Sequence, residues 1–162
     1  MRVLVLNSGS SSLKFRIVEV SRNETQREQA CSSPIMGGEV SGIGGNATLR
    51  LEREGMDVFT TDHRMRDHGD AVQLMFEQLG QERVEAVGHR VVHGGERFYA
   101  TTRITAEVVE EIERLSELAP LHNPACVAGI RGAFDTAFHL RHVAINFLRL
   151  RGWGCRREMR TV

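Results

Sequence analysis

The sequence predicts an α/β domain, because short apolar strand patterns alternate with helical patterns along its 162 residues. Residues 2–7 and 13–20 have the pattern of two strands joined by a small Ser/Gly loop. Apolar side chains at helical spacing over residues 70–79, and again after Thr105, predict the helices. A content of 41% hydrophobic and 26% charged residues fits one globular domain with a buried core.

The middle of the chain adds weaker signals. Residues 21–46 are rich in Ser, Gly, Asn and Gln and predict a loop excursion. Residues 47–60 predict a second hairpin that turns at Gly55. The first helix ends before Gly80, and residues 84–92 predict a short strand that runs into a Gly-Gly pair.

Two further helices follow. Thr105 is a suitable N-cap, and Glu107 suits the positive end of the helix dipole. This helix must end before Pro120, since proline disfavours helical geometry in the residue that precedes it. The next helix is predicted to begin with Asn123 as its cap and Pro124 at its first position.

The charge distribution divides the chain at residue 140. Residues 1–140 carry 15 basic and 20 acidic side chains, whereas residues 141–162 carry six arginines and Glu158. We therefore predict a domain over residues 1–140 and an atypical Arg-rich tail over residues 141–162. The formal net charge is zero, so neither nucleic acid nor a membrane surface is expected as a partner.

The cysteines favour a reducing compartment. Cys31, Cys126 and Cys155 are an odd number without metal-ligand spacing, and the sequence shows no signal peptide or 18-residue apolar run. A cytoplasmic location is therefore expected.

The first candidate site is the loop at residues 7–14. Ser10 and Ser12 bring hydroxyl groups, and Lys14 is the single lysine beside 20 arginines. Such a hairpin tip can surround phosphate oxygens with donors, and Asn7 could support a metal-bound water. The alternative is an ordinary solvated Ser/Gly hairpin.

The second candidate site is the segment at residues 88–95. Strand alternation puts Arg90 and Val92 on one side. A cation beside an apolar side chain suits a small carboxylate with an apolar tail, or a phosphate. The alternative is a surface arginine flanked by core or capping histidines.

Two later segments carry further candidates. Leu121 and His122 lie in a turn bracketed by prolines, where a histidine can donate to an anion or merely cap a helix. Asp135 lies among aromatic and small residues, and a buried acid there can serve a metal or a proton transfer. A turn-forming aspartate is the alternative.

These four segments, in this order, resemble the amino-terminal motifs of the acetate kinase (acetokinase) family. The matches are the loop at 7–14, Gly-His-Arg-Val-Val-His-Gly-Gly from residue 88, Ala-Pro-Leu-His-Asn-Pro-Ala from residue 119 and Phe-Asp-Thr-Ala-Phe-His from residue 134. The resemblance implies the actin-like, ribonuclease H-like ATPase fold, here its amino-terminal domain alone and incomplete. It also implies transfer of a phosphoryl group between ATP and acetate with Mg, giving acetyl phosphate and ADP, in a homodimer.

The resemblance also implies residue roles. Arg90 would hold the acetate carboxylate or the phosphoryl group as a catalytic residue, Val92 and Leu121 would line the methyl pocket, and His122 would be a second donor to the substrate. Asn7 would lie near Mg, and Lys14, Ser10 and Ser12 would bind the nucleotide phosphates. Asp135 would be the acid/base residue or a carboxylate linked to the metal.

The chain also departs from the family. Only eight residues separate Ala125 from Phe134, whereas a helix and a strand together need about 15. We therefore predict that a core strand is missing, that Asp135 is misplaced and that the chain folds poorly. The later nucleotide-site motifs have no counterpart, which leaves a truncated acetate kinase, an inactive anion-binding module and a propionate or butyrate kinase relative as alternatives.

Overall fold

The computed structural model describes residues 1–20, 35–92, 98, 100–120 and 122–146, with the side chain of Asn146 excepted. In these residues eight strands form one sheet, and three α-helices pack on it. The strands are β1 (Arg2–Ser8), β2 (Ser12–Glu19), β3 (Met36–Ser41), β4 (Asn46–Arg53), β5 (Phe59–Arg64), β6 (Ala86–Val91), β7 (Thr102–Arg103) and β8 (Arg141–Asn146). The helices are α1 (His68–Leu79), α2 (Ala106–Arg114) and α3 (Asn123–Ala137).

The sheet is mixed, with the strand order β5-β4-β3-β2-β1-β6-β8-β7. Strands β1 to β5 are paired antiparallel, one after the next. Strand β6 pairs parallel with both β1 and β8. Because the carboxyl ends of parallel strands meet at one edge, β1, β6 and β8 end on the same side of the sheet. The α/β class predicted from the sequence is confirmed.

The two predicted hairpins are present, but the loop prediction between them was partly wrong. Strands β1 and β2 are joined at residues 9–11, and β4 and β5 flank Gly55, whose φ of 73° suits glycine. Residues 36–41, however, form β3, an interior strand. The sequence did not predict this strand because the adjacent glycines Gly37 and Gly38 interrupt its apolar alternation. A Cβ on one of them, Gly38, would lie 2.7 Å from the ring of Phe15, so the glycine makes room for that ring.

The helices begin close to the predicted positions. Thr105 caps α2 by accepting a hydrogen bond from the Val108 N–H at 3.4 Å, as predicted. The cap predicted for α3 was wrong by one residue, because His122 is the N-cap and Asn123 is already helical. The Asn123 amide is fully buried and donates to the Ile112 carbonyl of α2 at 3.3 Å. No helix in the described ranges has both the length and the apolar character needed to cross a bilayer.

The prediction of a missing core strand was wrong. Helix α3 continues through Phe134 and Asp135, and the strand follows as β8, between β6 and β7. The helix and the strand both fit because most of the Phe-Asp-Thr-Ala-Phe-His segment forms the last turn of α3, and β8 begins only after it. The domain therefore extends at least to Asn146, rather than ending at residue 140. The expectation of poor folding loses its basis, and residues 147–162 lie outside the described residues.

The core lies between one face of the sheet and helices α1 and α3. It contains alternate residues of the central strands together with the apolar face of α1, for example Leu4, Leu6, Leu13, Phe15, Ile17, Val72, Met75 and Leu79. Helices α1 and α3 cross where Gly132 faces Gly69, and a Cβ on Gly132 would lie 3.2 Å from the Gly69 Cα. This close crossing fixes the amino-terminal turn of α1 against α3, near the end of β1.

Candidate functional site

Two predicted site residues, Asn7 and Arg90, meet at the carboxyl ends of neighbouring parallel strands. The register of β1 and β6 pairs Leu6 with His89, so Asn7 and Arg90 are the next residues along. The Arg90 Nη1 donates to the Asn7 Oδ1 at 3.0 Å. The pair is partly buried. The guanidinium is therefore held at the edge where α/β proteins bind ligands.

The ammonium of Lys14 extends the same row of side chains. Lys14 of β2 pairs in register with Asn7 on one side and with Glu39 of β3 on the other. Its Nζ lies 3.8 Å from the Glu39 Oε2, and the side chain keeps 29% of its exposure. Because residues paired laterally across a sheet point to the same face, Arg90, Asn7 and Lys14 share one face.

The loop between β1 and β2 directly follows Asn7 and Ser8 and leads back to Lys14. Ser10 and Ser11 are exposed, and Ser12 starts β2 half-buried. Ser8 is buried against α3, where a Cβ on Gly129 would lie 2.1 Å from the Ser8 Oγ. The glycine therefore lets α3 approach the end of β1 directly.

The first turns of α3 reach the same edge. The Cys126 Sγ lies 3.4 Å from the Arg90 carbonyl oxygen and 3.9 Å from that of Ser8, so it touches the ends of β6 and β1. The Cys126 N–H donates to the His122 carbonyl at 3.1 Å, which puts His122 one helical turn earlier. His122 is exposed, and the first turn of α3 has no acidic residue. The positive end of this helix dipole, carrying His122, thus lies at the same edge of the sheet as the Arg90 backbone.

Sequence reasoning did not find a role for Cys126. The thiol is 3% exposed, and burial raises its pKa, so it stays protonated and donates to the Arg90 carbonyl. The Val92 N–H, which donates to the sulfur, acts on the pKa in the opposite direction. Cys126 therefore fixes the backbone on both sides of Val91 at the end of β6. Its spacing in the sequence gave no signal of this contact.

The other predicted site residues fare differently. Val92 is half-buried directly after β6, next to this contact, and Leu121 lies outside the described residues. The prediction that Asp135 is a buried acid was wrong, because Asp135 is exposed near the end of α3. It lies nine positions after Cys126, or about 14 Å along the helix at 1.5 Å per residue. Asp135 thus lies apart from the cluster of Arg90, Asn7 and Lys14.

Comparison with known proteins identifies the family. The model of the acetokinase family matches residues 2–147. The chain belongs to the acetokinase family. The acetate kinase of Agathobacter rectalis is 38% identical over 160 residues, and that of Thermotoga maritima is 37% identical over 160 residues. Both alignments cover 86% of this chain, which spans only 38% of the length of each relative.

Solved structures agree with this assignment. The acetate kinase of Porphyromonas gingivalis superposes with a TM-score of 0.78 at 32% identity, and covers 90% of this chain and 37% of its own length. A propionate kinase from Francisella tularensis superposes with a TM-score of 0.76 at 31% identity, over 90% of this chain and 36% of its own. The fold is therefore that of the matched part of these two structures.

Behind the cluster, this acetokinase-family chain buries two neutral histidines. The His89 Nε2 lies 3.1 Å from the His142 Nδ1, and the His142 Nε2 lies 2.9 Å from the Ala137 carbonyl oxygen. A carbonyl only accepts, so the His142 Nε2 carries its hydrogen, its Nδ1 accepts, and the His89 Nε2 donates. These two hydrogen bonds, called the histidine relay below, hold β6 to β8 and to the end of α3. They support the backbone that carries Arg90.

The relay predicts acid sensitivity of the fold. Burial, and then the charge of His142, lower the pKa of His89 from 6.5 to about 3, and burial lowers that of His142 as well. Between about pH 6.5 and pH 3 the unfolded chain binds more protons than the folded chain, so stability falls as the pH falls through this window. We expect a slope of up to about 1.4 kcal/mol per pH unit from His89, measured by urea unfolding at pH 7.5, 6.0 and 5.0.

Two variants separate this relay from general acid effects. His89→Gln keeps a donor without a titrating group, so its unfolding free energy should fall less between pH 7.5 and 5.0. His122→Gln changes an exposed histidine that does not act on the pKa of His89 or His142, and it should behave like the unmodified chain. An equal pH dependence in His89→Gln and the unmodified chain would show that the relay does not govern acid stability.

The described residues do not form a magnesium site by themselves. Magnesium requires about six oxygen ligands in octahedral geometry, including carboxylates or substrate phosphates. The Asn7 Oδ1 accepts from the Arg90 guanidinium, a cation. Within the described ranges, no group of three or more His, Cys, Asp and Glu side chains could hold a metal ion. In this arrangement Asn7 orients Arg90, and a place for Asn7 near Mg stays a prediction.

Proposed function

We propose that this chain carries the substrate half of an acetate kinase, the part that binds acetate and the transferring phosphoryl group. The proposed reaction is reversible transfer of the γ-phosphoryl group of ATP to a carboxylate oxygen of acetate, giving acetyl phosphate and ADP. The observation that carries the proposal is the Arg90 guanidinium, held by Asn7 beside the Ser-rich loop at the carboxyl edge of β1 and β6. Membership of the acetokinase family supports it.

Arg90 is proposed to grip the anionic end of the substrate. A guanidinium has five N–H donors in a planar fork, which matches a carboxylate or phosphoryl group better than an ammonium does. His122 is proposed as a second donor, supported by its place at the start of α3. Val92 and Leu121 are proposed to line the pocket for the methyl group.

The loop and Lys14 are proposed to serve the phosphate side. The hydroxyls of Ser10 and Ser12 and the Lys14 ammonium can neutralise charge on ATP or acetyl phosphate. Phosphoryl transfer depends mainly on positioning and charge stabilisation, which is what these residue types supply. Magnesium would arrive with the nucleotide, and the nucleotide-binding residues would come from sequence beyond the 38% of the relatives' length that this chain spans.

Acetate is the acceptor we favour, because the curated relatives at 37–39% identity are acetate kinases. Propionate is a second candidate, since the propionate kinase structure superposes almost as well as the acetate kinase structure. A cytoplasmic location and a homodimer are part of the proposal. Nucleic acid and membranes are not proposed as partners.

A chimera tests the proposed function. Residues 1–146 are joined to the part of the Thermotoga maritima acetate kinase that follows its matched segment. Hydroxylamine trapping then measures acetyl phosphate formed from ATP, Mg and acetate, with propionate assayed in parallel. We expect turnover with acetate exceeding that with propionate. A folded chimera without turnover on either acid would contradict the proposal, and a preference for propionate would replace the acceptor.

A further inference from the structure

A histidine that the sequence analysis did not single out contacts the Ser-rich loop from α1. His68 is the first residue of α1, directly after the N-cap Asp67, and it is only 8% exposed. Its Nε2 lies 2.7 Å from the carbonyl oxygen of Gly9. Because a carbonyl oxygen only accepts, the Nε2 carries the hydrogen and donates it.

The Gly9 carbonyl is one of several acceptors in the loop that are engaged inside the protein. The Ser11 carbonyl accepts from the Ile43 N–H at 3.0 Å, and the Ser12 carbonyl accepts from the Gly9 N–H at 2.8 Å. The Ser8 carbonyl oxygen lies 3.9 Å from the Cys126 sulfur of α3. The carbonyls of Gly9 and Ser11 are therefore held by residues outside the loop.

The donors of the loop are arranged in the opposite way. Within the described part of the chain, the N–H groups of Ser10 and Ser11 donate to no other residue, and both side chains are exposed. The Gly9 C=O and the Ser10 N–H belong to one planar trans peptide, in which they point in opposite directions. A contact that holds the Gly9 carbonyl inward thus turns the Ser10 N–H outward.

We infer that His68 is a positioning residue for anion binding: it holds the Gly9–Ser10 peptide so that the loop presents N–H donors to phosphoryl oxygens. Glycine permits both orientations of this peptide, because it lacks a Cβ. Without the His68 hydrogen bond the peptide can rotate and turn a carbonyl oxygen towards the anion. This role rests on the proposed function, since it acts through the loop that is proposed to bind phosphate.

Two amide substitutions of equal polarity test the role. Gln places a side-chain N–H at about the reach of the histidine Nε2, whereas Asn is one methylene shorter and reaches only the place of Nδ1. The full 162-residue chain, ¹⁵N-labelled, is titrated with inorganic phosphate while the Ser10 and Ser11 amide signals are followed. We expect His68→Gln to keep the phosphate affinity of the unmodified chain, and His68→Asn to weaken it about fivefold, the value of one neutral hydrogen bond.

A control separates positioning from loss of stability. Leu79→Ala removes buried atoms from the last residue of the same helix, 11 positions after His68, and destabilises the fold at the far end of α1 from Gly9. It should lower the unfolding midpoint and leave phosphate affinity unchanged. If it weakens phosphate binding as much as His68→Asn, the role of His68 is structural and the inference fails.

The remaining outcomes are equally decisive. Equal affinity in His68→Asn and the unmodified chain overturns the inference and leaves the proposed function standing, whereas no phosphate response in the unmodified chain overturns both. If His68→Asn does not fold, the ring ¹⁵N shifts of His68 in the unmodified chain decide. A neutral Nε2–H tautomer supports the inference, and a neutral Nδ1–H tautomer, which cannot donate to Gly9, refutes it.

Discussion

Replacing Arg90 by lysine in the chimera is expected to lower kcat/KM for acetate about 100-fold or more, nearly as much as replacing it by alanine. Removing one preorganised donor from a transition state costs about 100- to 1,000-fold in rate. A lysine ammonium keeps the charge but lacks the planar fork of N–H donors, one of which donates to the Asn7 Oδ1 at 3.0 Å. Steady-state kinetics of Arg90→Lys and Arg90→Ala, with acetate varied at saturating ATP, measure the effect.

A matched substitution on the same sheet provides the control. Arg103→Lys changes an exposed arginine on β7 and should leave kcat/KM within about twofold, the range of a surface change without a partner in the site. Wild-type kinetics in Arg90→Lys would remove Arg90 from the site. Intermediate kinetics in which only KM rises would show that Arg90 binds acetate equally in the ground state and the transition state.

The 162-residue chain by itself is expected to make no acetyl phosphate from ATP, Mg and acetate. It spans 38% of the length of the acetate kinases it matches, and the residues described place no carboxylate cluster that could hold a metal ion beside Arg90. Groups that each contribute about 100-fold or more would be missing together, so the expected loss exceeds about 10,000-fold. Hydroxylamine trapping over several hours, against a blank without protein, measures it.

The chimera serves as the positive control for this assay, since it contains the same residues 1–146. Turnover by the 162-residue chain well above the blank would mean that the chain supplies its own nucleotide site. Turnover that disappears after further purification would instead identify a contaminating kinase.

Most of the fold could be predicted from local pattern. The apolar run in residues 2–7, the alternation in residues 13–20, the cap at Thr105 and the stop at Pro120 are short-range signals, and the structure follows them. Strand β3 was missed because two adjacent glycines weaken its pattern, although one of them makes room for Phe15. Local propensity does not include such contacts between strands.

The end of the domain shows where a motif misleads. The segment from Phe134 looks like the part of the family that follows a strand, yet it completes α3, and β8 comes after it. The helical periodicity of α3 continues without a break to Ala137, and that continuity outweighs the match of six letters. Counting residues between motifs therefore predicted a missing strand that is present.

The site was predictable only in its residue types. Arg90, Asn7 and Lys14 were chosen from their sequence context, and the strand register brings them together. The supports behind them, Cys126 and His68, touch backbone carbonyls at long sequence separation. No spacing rule anticipates contacts of that kind, because they depend on how α1 and α3 pack against the end of β1.

Titration of the ¹⁵N-labelled 162-residue chain with acetate and with inorganic phosphate shows whether Arg90 and the Ser-rich loop bind these anions. We expect saturable shifts of the Arg90 side-chain Nε–H and of the Ser10 and Ser11 amides, with the Arg103 signals unchanged. The Arg90→Gln variant should lose the acetate response while its other amide signals stay in place. Shifts absent with both anions, or unchanged in Arg90→Gln, would contradict the claim that this chain carries the substrate half of the site.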